Sequence, residues 1–215
     1  MGRVKPSRVV TWFVRITGAW AAIPFFKPKV YYQNKDMQGK SLPKPSIVIS
    51  NHVSLLDFVV FLFVFWRNFI RFQVAEVMFN KSGFLSGLLY RLGCIRVDRD
   101  TFDFSFIGDS LDALDNGEVV GIFPSGRLPV NGKPFPFKPS AVFIALRTDA
   151  PIIPVYTDGQ YGLTKRTRIV VGEPIYIKDY CQSPEPSREE LETLTHMLED
   201  KVYALRGYIE ERFRK

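Results

Sequence analysis

Runs of apolar residues, separated by turn-forming and polar stretches, outline a chain of short strands and helices. Ser46 to Ser50, with Ile47, Val48 and Ile49 in succession, reads as a short buried strand. Phe72 to Val77, Glu118 to Phe123, Ala150 to Tyr156, Arg168 to Val171 and Ile175 to Ile177 read as further strands. Pro151 and Pro154 argue against a central antiparallel strand with every amide paired. Leu55 to Trp66 is apolar on every face, which predicts a helix that is buried or lines an apolar groove. Phe84 to Leu92 predicts a short helix closing near Gly93, Phe104 to Asp115 a helix with Leu111 and Leu114 inward, and Ser140 to Arg147 another. From Ser187 onward Leu191, Leu194, Leu198, Val202, Leu205, Ile209 and Phe213 are spaced three and four apart behind a Ser187-x-x-Glu190 capping box, so about 187–213 is an amphipathic packing helix. The fold class expected is α/β: a single domain with a mixed, largely parallel sheet flanked by helices, over residues 36–215.

Residues 1–35 differ in character. Met1 to Lys29 carries Arg3, Lys5, Arg8, Arg15, Lys27 and Lys29 and no acid, around the apolar run Val9 to Phe26. Arg15 interrupts that run, which argues against a signal peptide and against a full span, since roughly 20 apolar residues are needed to cross a bilayer. Trp12, Trp20, Phe25 and Phe26 suit the headgroup boundary, where aromatic bodies bury and basic side chains meet anionic lipid. An amphipathic helix packed on the domain is the alternative reading.

Composition narrows the partners. The chain has 215 residues, 46% of them hydrophobic and 14% aromatic with 19 Phe, enough for one sizeable core. Its formal net charge of +7 favours anionic partners: a phospholipid surface, a phosphorylated substrate or an acidic carrier. No recognised nucleic-acid motif accompanies that charge, so nucleic acid is not expected. Cys94 and Cys181 lack metal-type spacing, which points to a reducing compartment and away from structural zinc or a disulfide framework.

The chemistry concentrates in Asn51-His52-Val53-Ser54-Leu55-Leu56-Asp57. On one regular helix His52 and Asp57 would point about 140° apart, so they meet only across a bend. The strand ending at Ser50 and a helix opening at Leu55 behind an N-cap Ser54 supply that bend. Asp57 could then accept the proton of one imidazole nitrogen and leave the other free as a base toward an incoming hydroxyl. Equally, Ser54-Leu55-Leu56-Asp57 fits a capping box in which Asp57 only satisfies the helix start.

Two further stretches carry phosphate-binding chemistry. Gly93 to Arg99 is a short extended piece ending in Asp98-Arg99, either a surface ion pair or an arginine placed to fork two phosphate oxygens. Phe123-Pro124-Ser125-Gly126-Arg127 is a tight loop at a strand end, where ligands of open α/β sheets bind. Gly126 would let backbone amides approach an anion, and Arg127 would add charge.

Four segments in this order resemble the 1-acylglycerol-3-phosphate acyltransferase family of glycerolipid acyltransferases over about residues 40–180. Asn51, His52 and Asp57 match its Asn-His-x4-Asp block, Val97, Asp98 and Arg99 its second block, and Pro151 to Val155 its Pro-Ile-Ile-Pro-Val block. The third block departs: the family has Phe-Pro-Glu-Gly-Thr-Arg where this chain has Phe123-Pro124-Ser125-Gly126-Arg127-Leu128, with Gly132-Lys133 and Phe137-Lys138 still in register. The resemblance implies acyl transfer from acyl-CoA or acyl carrier protein to a lysophospholipid hydroxyl, with lysophosphatidic acid first among acceptors. It implies His52 as base, Asp57 as its orienting partner, Arg99 and Arg127 on the acceptor's phosphate, and Asn51, Ser125 and Gly126 among the substrate contacts. Loop amides near Gly126 would meet the oxyanion. No metal and no bound cofactor are implied, and the site would sit at the cytoplasmic face of a membrane. A different lysolipid acceptor, and a catalytically silent lipid-binding homologue, are the alternatives.

Overall fold

The computed structural model describes residues 5–35, 38–39, 41–98, 103–181, 183 and 185–213. Helix α1 (Arg8–Phe26) opens behind Ser7, whose Oγ accepts from the Val10 amide, and leads into strand β1 (Lys29–Tyr32). There follow β2 (Ser46–Ser50), α2 (Leu56–Val64), β3 (Ile70–Ala75), α3 (Glu76–Phe79), α4 (Gly83–Arg91), β4 (Ile95–Val97), α5 (Ser105–Asp115) and β5 (Val119–Ile122). The chain ends through α6 (Ser140–Leu146), β6 (Ile152–Thr157), β7 (Arg168–Val171), a 3-10 turn (Ile177–Tyr180) and α7 (Arg188–Phe213).

The strands form one sheet in the order β1-β7-β6-β2-β5-β3-β4, and every neighbouring pair is parallel except β6 with β7. This is the mixed, largely parallel α/β sheet expected. Its consequence for function is that the carboxyl ends of β2, β3, β4, β5 and β6 share one edge, the edge at which open α/β sheets bind ligands.

Consecutive side chains on a strand leave opposite faces, and two helical layers cover the two faces. Ile47 and Ile49 of β2 and Val120 and Ile122 of β5 pack with Leu114, Val142, Ile144, Leu194 and Leu198 of α5, α6 and α7. Val48, Val119, Ile153 and Val155 pack on the other face with Phe61, Phe65 and with Ala22 and Phe26 of α1. Strands covered on both faces read as unbroken apolar runs, which is why β2, β5 and β6 are visible in the sequence.

Several boundaries differ from the sequence reading, each for a local reason. The Phe72 to Val77 strand is β3 at Ile70–Ala75, because the chain turns into α3 at Glu76. Ile175 to Ile177 is no strand: Ile175 makes one bridge to Ile152, and the 3-10 turn starts at Ile177. β6 is interior despite its prolines. It runs parallel to β2, and its antiparallel pairing with β7 covers Val155 to Thr157 only, beyond Pro154, whose carbonyl accepts from the Gly172 amide at 2.8 Å. β1, unanticipated, pairs with β7 as the sheet's edge, so the sheet begins inside the basic N-terminal stretch. At the other end Ser187 Oγ accepts from the Glu190 amide at 3.2 Å, and Leu194, Leu198, Val202, Leu205 and Ile209 are buried along α7.

Candidate active site

The turn after β2 bends as the residue spacing requires. Its helix starts one residue later than expected, at Leu56, and Ser54 Oγ accepts from the Leu56 amide at 3.2 Å. Asp57 is fully buried. Its Oδ2 lies 2.8 Å from His52 Nδ1 and accepts the Val53 and Ser54 amides at 2.8 and 2.9 Å. One carboxylate oxygen thus caps the helix start and holds the imidazole. The two readings of Asp57 describe the same atom.

The other oxygen, Oδ1, accepts the hydroxyl of Tyr161, 104 residues away in sequence. Burial first, then the charge on Asp57, pushes this phenol well above the ordinary tyrosine range, so Tyr161 stays a neutral donor. Its ring meets Phe26 of α1 edge-on at 5.5 Å. Nothing in the local sequence around Tyr161 marks it; only the return of β6 beside β2 brings it in.

The imidazole is held on its face as well as its edge. His52 stacks on Phe123 at 4.4 Å and 20°, and Phe123 stacks in turn on Phe72 at 6.1 Å and 14°. Gly121 makes that stack possible, because a Cβ there would lie 2.5 Å from the Phe72 ring. His52 Nε2 has no protein partner among the described residues, and the ring lines a cavity of about 840 Å³.

That cavity is mostly apolar, walled by Phe58, Val74, Met78, Leu89, Ile107 and Phe143 among others, and lies within the size range of small-molecule sites. Asp98 and Asp103 also line it, and among the described lining residues the lysine or arginine present is Lys138. Lys138 is tied to the loop after β5 by its own amide, which donates to Pro124 O at 3.0 Å, and its side chain runs beside Gly126. In the sequence Lys138 served only to fix the register of the third block. Arg99 lies outside the described residues.

The loop after β5 departs from the sequence expectation. Gly126, at φ +64°, closes a tight turn in which its amide donates to Phe123 O at 2.8 Å, so that amide is not free for an oxyanion. Ser125 is buried, with Oγ donating to Arg127 O at 3.1 Å, and is not part of the cavity wall. Arg127 is exposed, its guanidinium 6.0 Å from the Phe135 ring centre, and it too is outside the wall. Gly126 does line the cavity. Asn51 is another correction. It is buried, its amide donating to Thr157 O and accepting from Thr157 N at 2.9 Å each, so it clamps β2 to β6 and has no face for substrate.

Comparison with known proteins gives the family and the fold. The chain is 28% identical over 147 residues to the 1-acyl-sn-glycerol-3-phosphate acyltransferase of Bacillus subtilis, covering 66% of this chain and 71% of that one. It is 25% identical over 172 residues to the protein of the same name from Borreliella burgdorferi, covering 76% and 68%. In fold it resembles the crystal structure of the 1-acyl-sn-glycerophosphate acyltransferase PlsC of Thermotoga maritima, with a TM-score of 0.62 at 20% identity over 93% of this chain and 79% of that one. The sequence profile of the Acyltransferase family matches residues 29–158, more than half of the chain, so this protein belongs to the Acyltransferase family.

Proposed function

We propose that this protein is a 1-acyl-sn-glycerol-3-phosphate acyltransferase, moving an acyl chain from an acyl thioester to the free hydroxyl of lysophosphatidic acid to give phosphatidic acid. The observation that carries this reading is the His52–Asp57 pair, whose imidazole lines a large apolar cavity with a lysine in its wall. The relatives named for this activity support the choice of acceptor.

His52 is the general base. Asp57 holds Nδ1 protonated, so Nε2 accepts the proton of the acceptor's hydroxyl as its oxygen attacks the thioester carbonyl carbon. The imidazolium formed is stabilised by the buried carboxylate, and the carbonyl oxygen takes up the negative charge. Collapse re-forms the carbonyl, breaks the carbon–sulfur bond and returns the proton from Nε2 to the leaving thiolate. The apolar cavity takes the acyl chain, and Lys138 takes the acceptor's phosphate together with Arg99 from the second block. Neither step uses a metal or a bound cofactor.

Helix α1 brings this site to its substrates. Val9, Phe13, Ile16, Trp20 and Ile23 form one exposed stripe, spaced four and three apart, while Thr11, Arg15, Ala22 and Phe26 are buried. A helix that hides an arginine and shows two large aromatics to solvent has its apolar side turned to a membrane surface. By length and composition α1 could cross a bilayer, but Arg15 fixes it along the domain. Two free cysteines suit the reducing side, the cytoplasmic face. Within residues 1–35, α1 is then the membrane-contacting segment, while β1 already belongs to the sheet of the acyltransferase domain.

The test is mass-spectrometric product analysis after incubating the full chain with mixed lysolipids and, separately, acyl-CoA and acyl carrier protein donors. Phosphatidic acid as the main product is expected. A different acylated lysolipid would replace the acceptor, and no acylated product with either donor would overturn the reading.

A further inference from the structure

A second cavity, far smaller at about 110 Å³, lies outside the active site, between the first half of α1, the approach to β2 and the α2–β3 loop. Arg8, Arg15, Lys44 and Arg67 line it, with Thr11, Trp12, Trp66 and Phe69, and no carboxylate is among the lining residues. Four cations from three separate segments meet here, and among the described residues none of them has an ion-pair partner. Like charges gathered without a counter-ion raise the local positive potential and attract an anion.

Part of the charge is accounted for internally. Arg15 donates from Nη1 to Trp66 O at 2.5 Å and from Nη2 to Asn68 O at 2.7 Å, capping the carbonyls that follow α2. Its Nε is buried without a partner, and burial pushes the guanidinium down to about 10. Arg8 and Arg67 are exposed and lean on Phe69 and Trp66, 5.9 and 5.5 Å from the ring centres, contacts that leave their N–H edges open. Trp12 and Trp66 meet edge to face at 5.8 Å beside them, both partly exposed. Phe13 and Ile16 of the apolar stripe follow on the same helix.

We propose that this hollow is a binding site for the phosphate of a net-anionic bilayer lipid, separate from the acceptor's phosphate in the active site. The inference rests on the membrane-surface reading of α1. Basic side chains with tryptophans at the edge of an apolar stripe match the layering of a lipid interface, with phosphates at the level of the aromatic belt and acyl chains below. The cavity is of a size for one phosphate group, not for a nucleotide or a peptide. Occupancy pins the α1–α2 corner to one headgroup and so fixes how the domain sits on the bilayer.

The experiment measures partition of the full chain onto phosphatidylcholine vesicles with and without about one-fifth phosphatidylglycerol, by flotation. Arg8→Gln with Arg67→Gln is compared with Arg188→Gln with Lys201→Gln, an equal charge change on α7, across the sheet. Basic residues at an anionic surface contribute about 1 kcal/mol each, so the first pair is expected to cut the preference for anionic vesicles roughly 10- to 30-fold. The α7 pair is expected to leave it within about twofold. Equal losses from both pairs, or none from the first, would overturn the site while leaving the membrane reading intact. Phe13→Ser with Trp20→Ser tests that reading separately, since it should lower binding to both vesicle types. A final arm titrates inorganic phosphate at constant ionic strength while following tryptophan emission. No saturable change is expected below tens of millimolar; saturation at low millimolar would assign the site to free phosphate instead of lipid.

Discussion

Asp57 shows why a single residue could be read two ways from sequence: one oxygen satisfies the Val53 and Ser54 amides and His52 together. That geometry shapes the outcome of Asp57→Asn. The two backbone amides select the carboxamide oxygen for the Oδ2 position and leave its NH₂ facing the Tyr161 hydroxyl, which can accept. The His52 tautomer is therefore kept, and what is lost is the charge that stabilises the imidazolium. Hydrogen bonds to charged groups contribute about 1.5–3 kcal/mol, so kcat should fall roughly 10- to 150-fold with a small change in melting temperature. A loss of 10⁴ or more would mean the tautomer has flipped. Tyr161→Phe removes the donor to Oδ1 of the charged carboxylate, so kcat should fall roughly tenfold with the acceptor KM unchanged. If only the melting temperature falls and kcat of the folded fraction stays, Tyr161 is structural. The third block gives the remaining residue-scale test. Arg127→Ala should leave the acceptor KM within about twofold, while Lys138→Ala should raise it about tenfold or more, in line with a lost charge-assisted contact to phosphate. Sequence placed Arg127 at this task because it stood nearest the missing arginine. The turn closed by Gly126 and Ser125 decides otherwise, and side-chain direction within a turn is not written in residue spacing.

At the scale of elements, the strands buried on both faces and the long amphipathic helix α7 are legible, since apolar runs and three-and-four spacing are direct consequences of what they pack against. β1 is not, because Lys29-Val-Tyr-Tyr is an edge strand with one neighbour and too few buried positions to set a pattern. Nor is α3, a single turn fixed by its packing between β3, β4 and α4. The stack of His52, Phe123 and Phe72 depends on a similar non-local fit. Gly121→Ala in β5 brings a methyl 2.5 Å from the Phe72 ring carbons, which must shift and carry Phe123 and the face of His52 with them. Overpacking of this kind costs about 1–3 kcal/mol of stability. Activity of the folded fraction should fall as well, by an order of magnitude on the order of a small misplacement of a catalytic group. Activity per folded molecule that matches wild type would show that the stack does not orient the imidazole.

For the whole molecule, α1 joins an exposed apolar stripe, the fold and the site. Its exposed stripe faces outward, Arg15 caps the end of α2, and Phe26 backs the tyrosine that holds Asp57. Deleting Met1 to Pro28 would remove all three at once, so substitutions in the stripe are the cleaner probe of membrane contact. Phe13→Ser with Trp20→Ser should weaken vesicle binding on the order of tenfold or more, from the apolar area lost, with the melting temperature nearly unchanged. The chain order of the four blocks is legible in sequence, but their convergence is a property of the parallel sheet, which sets the ends of β2, β4, β5 and β6 along one edge. What that convergence does is tested most directly by the initial rate of phosphatidic acid formation from lysophosphatidic acid and an acyl thioester, measured on full-length wild type and His52→Ala side by side. The account predicts turnover by the wild type and a loss of about 10²- to 10⁴-fold in a variant that melts as wild type does. Equal rates from the two folded proteins would contradict it.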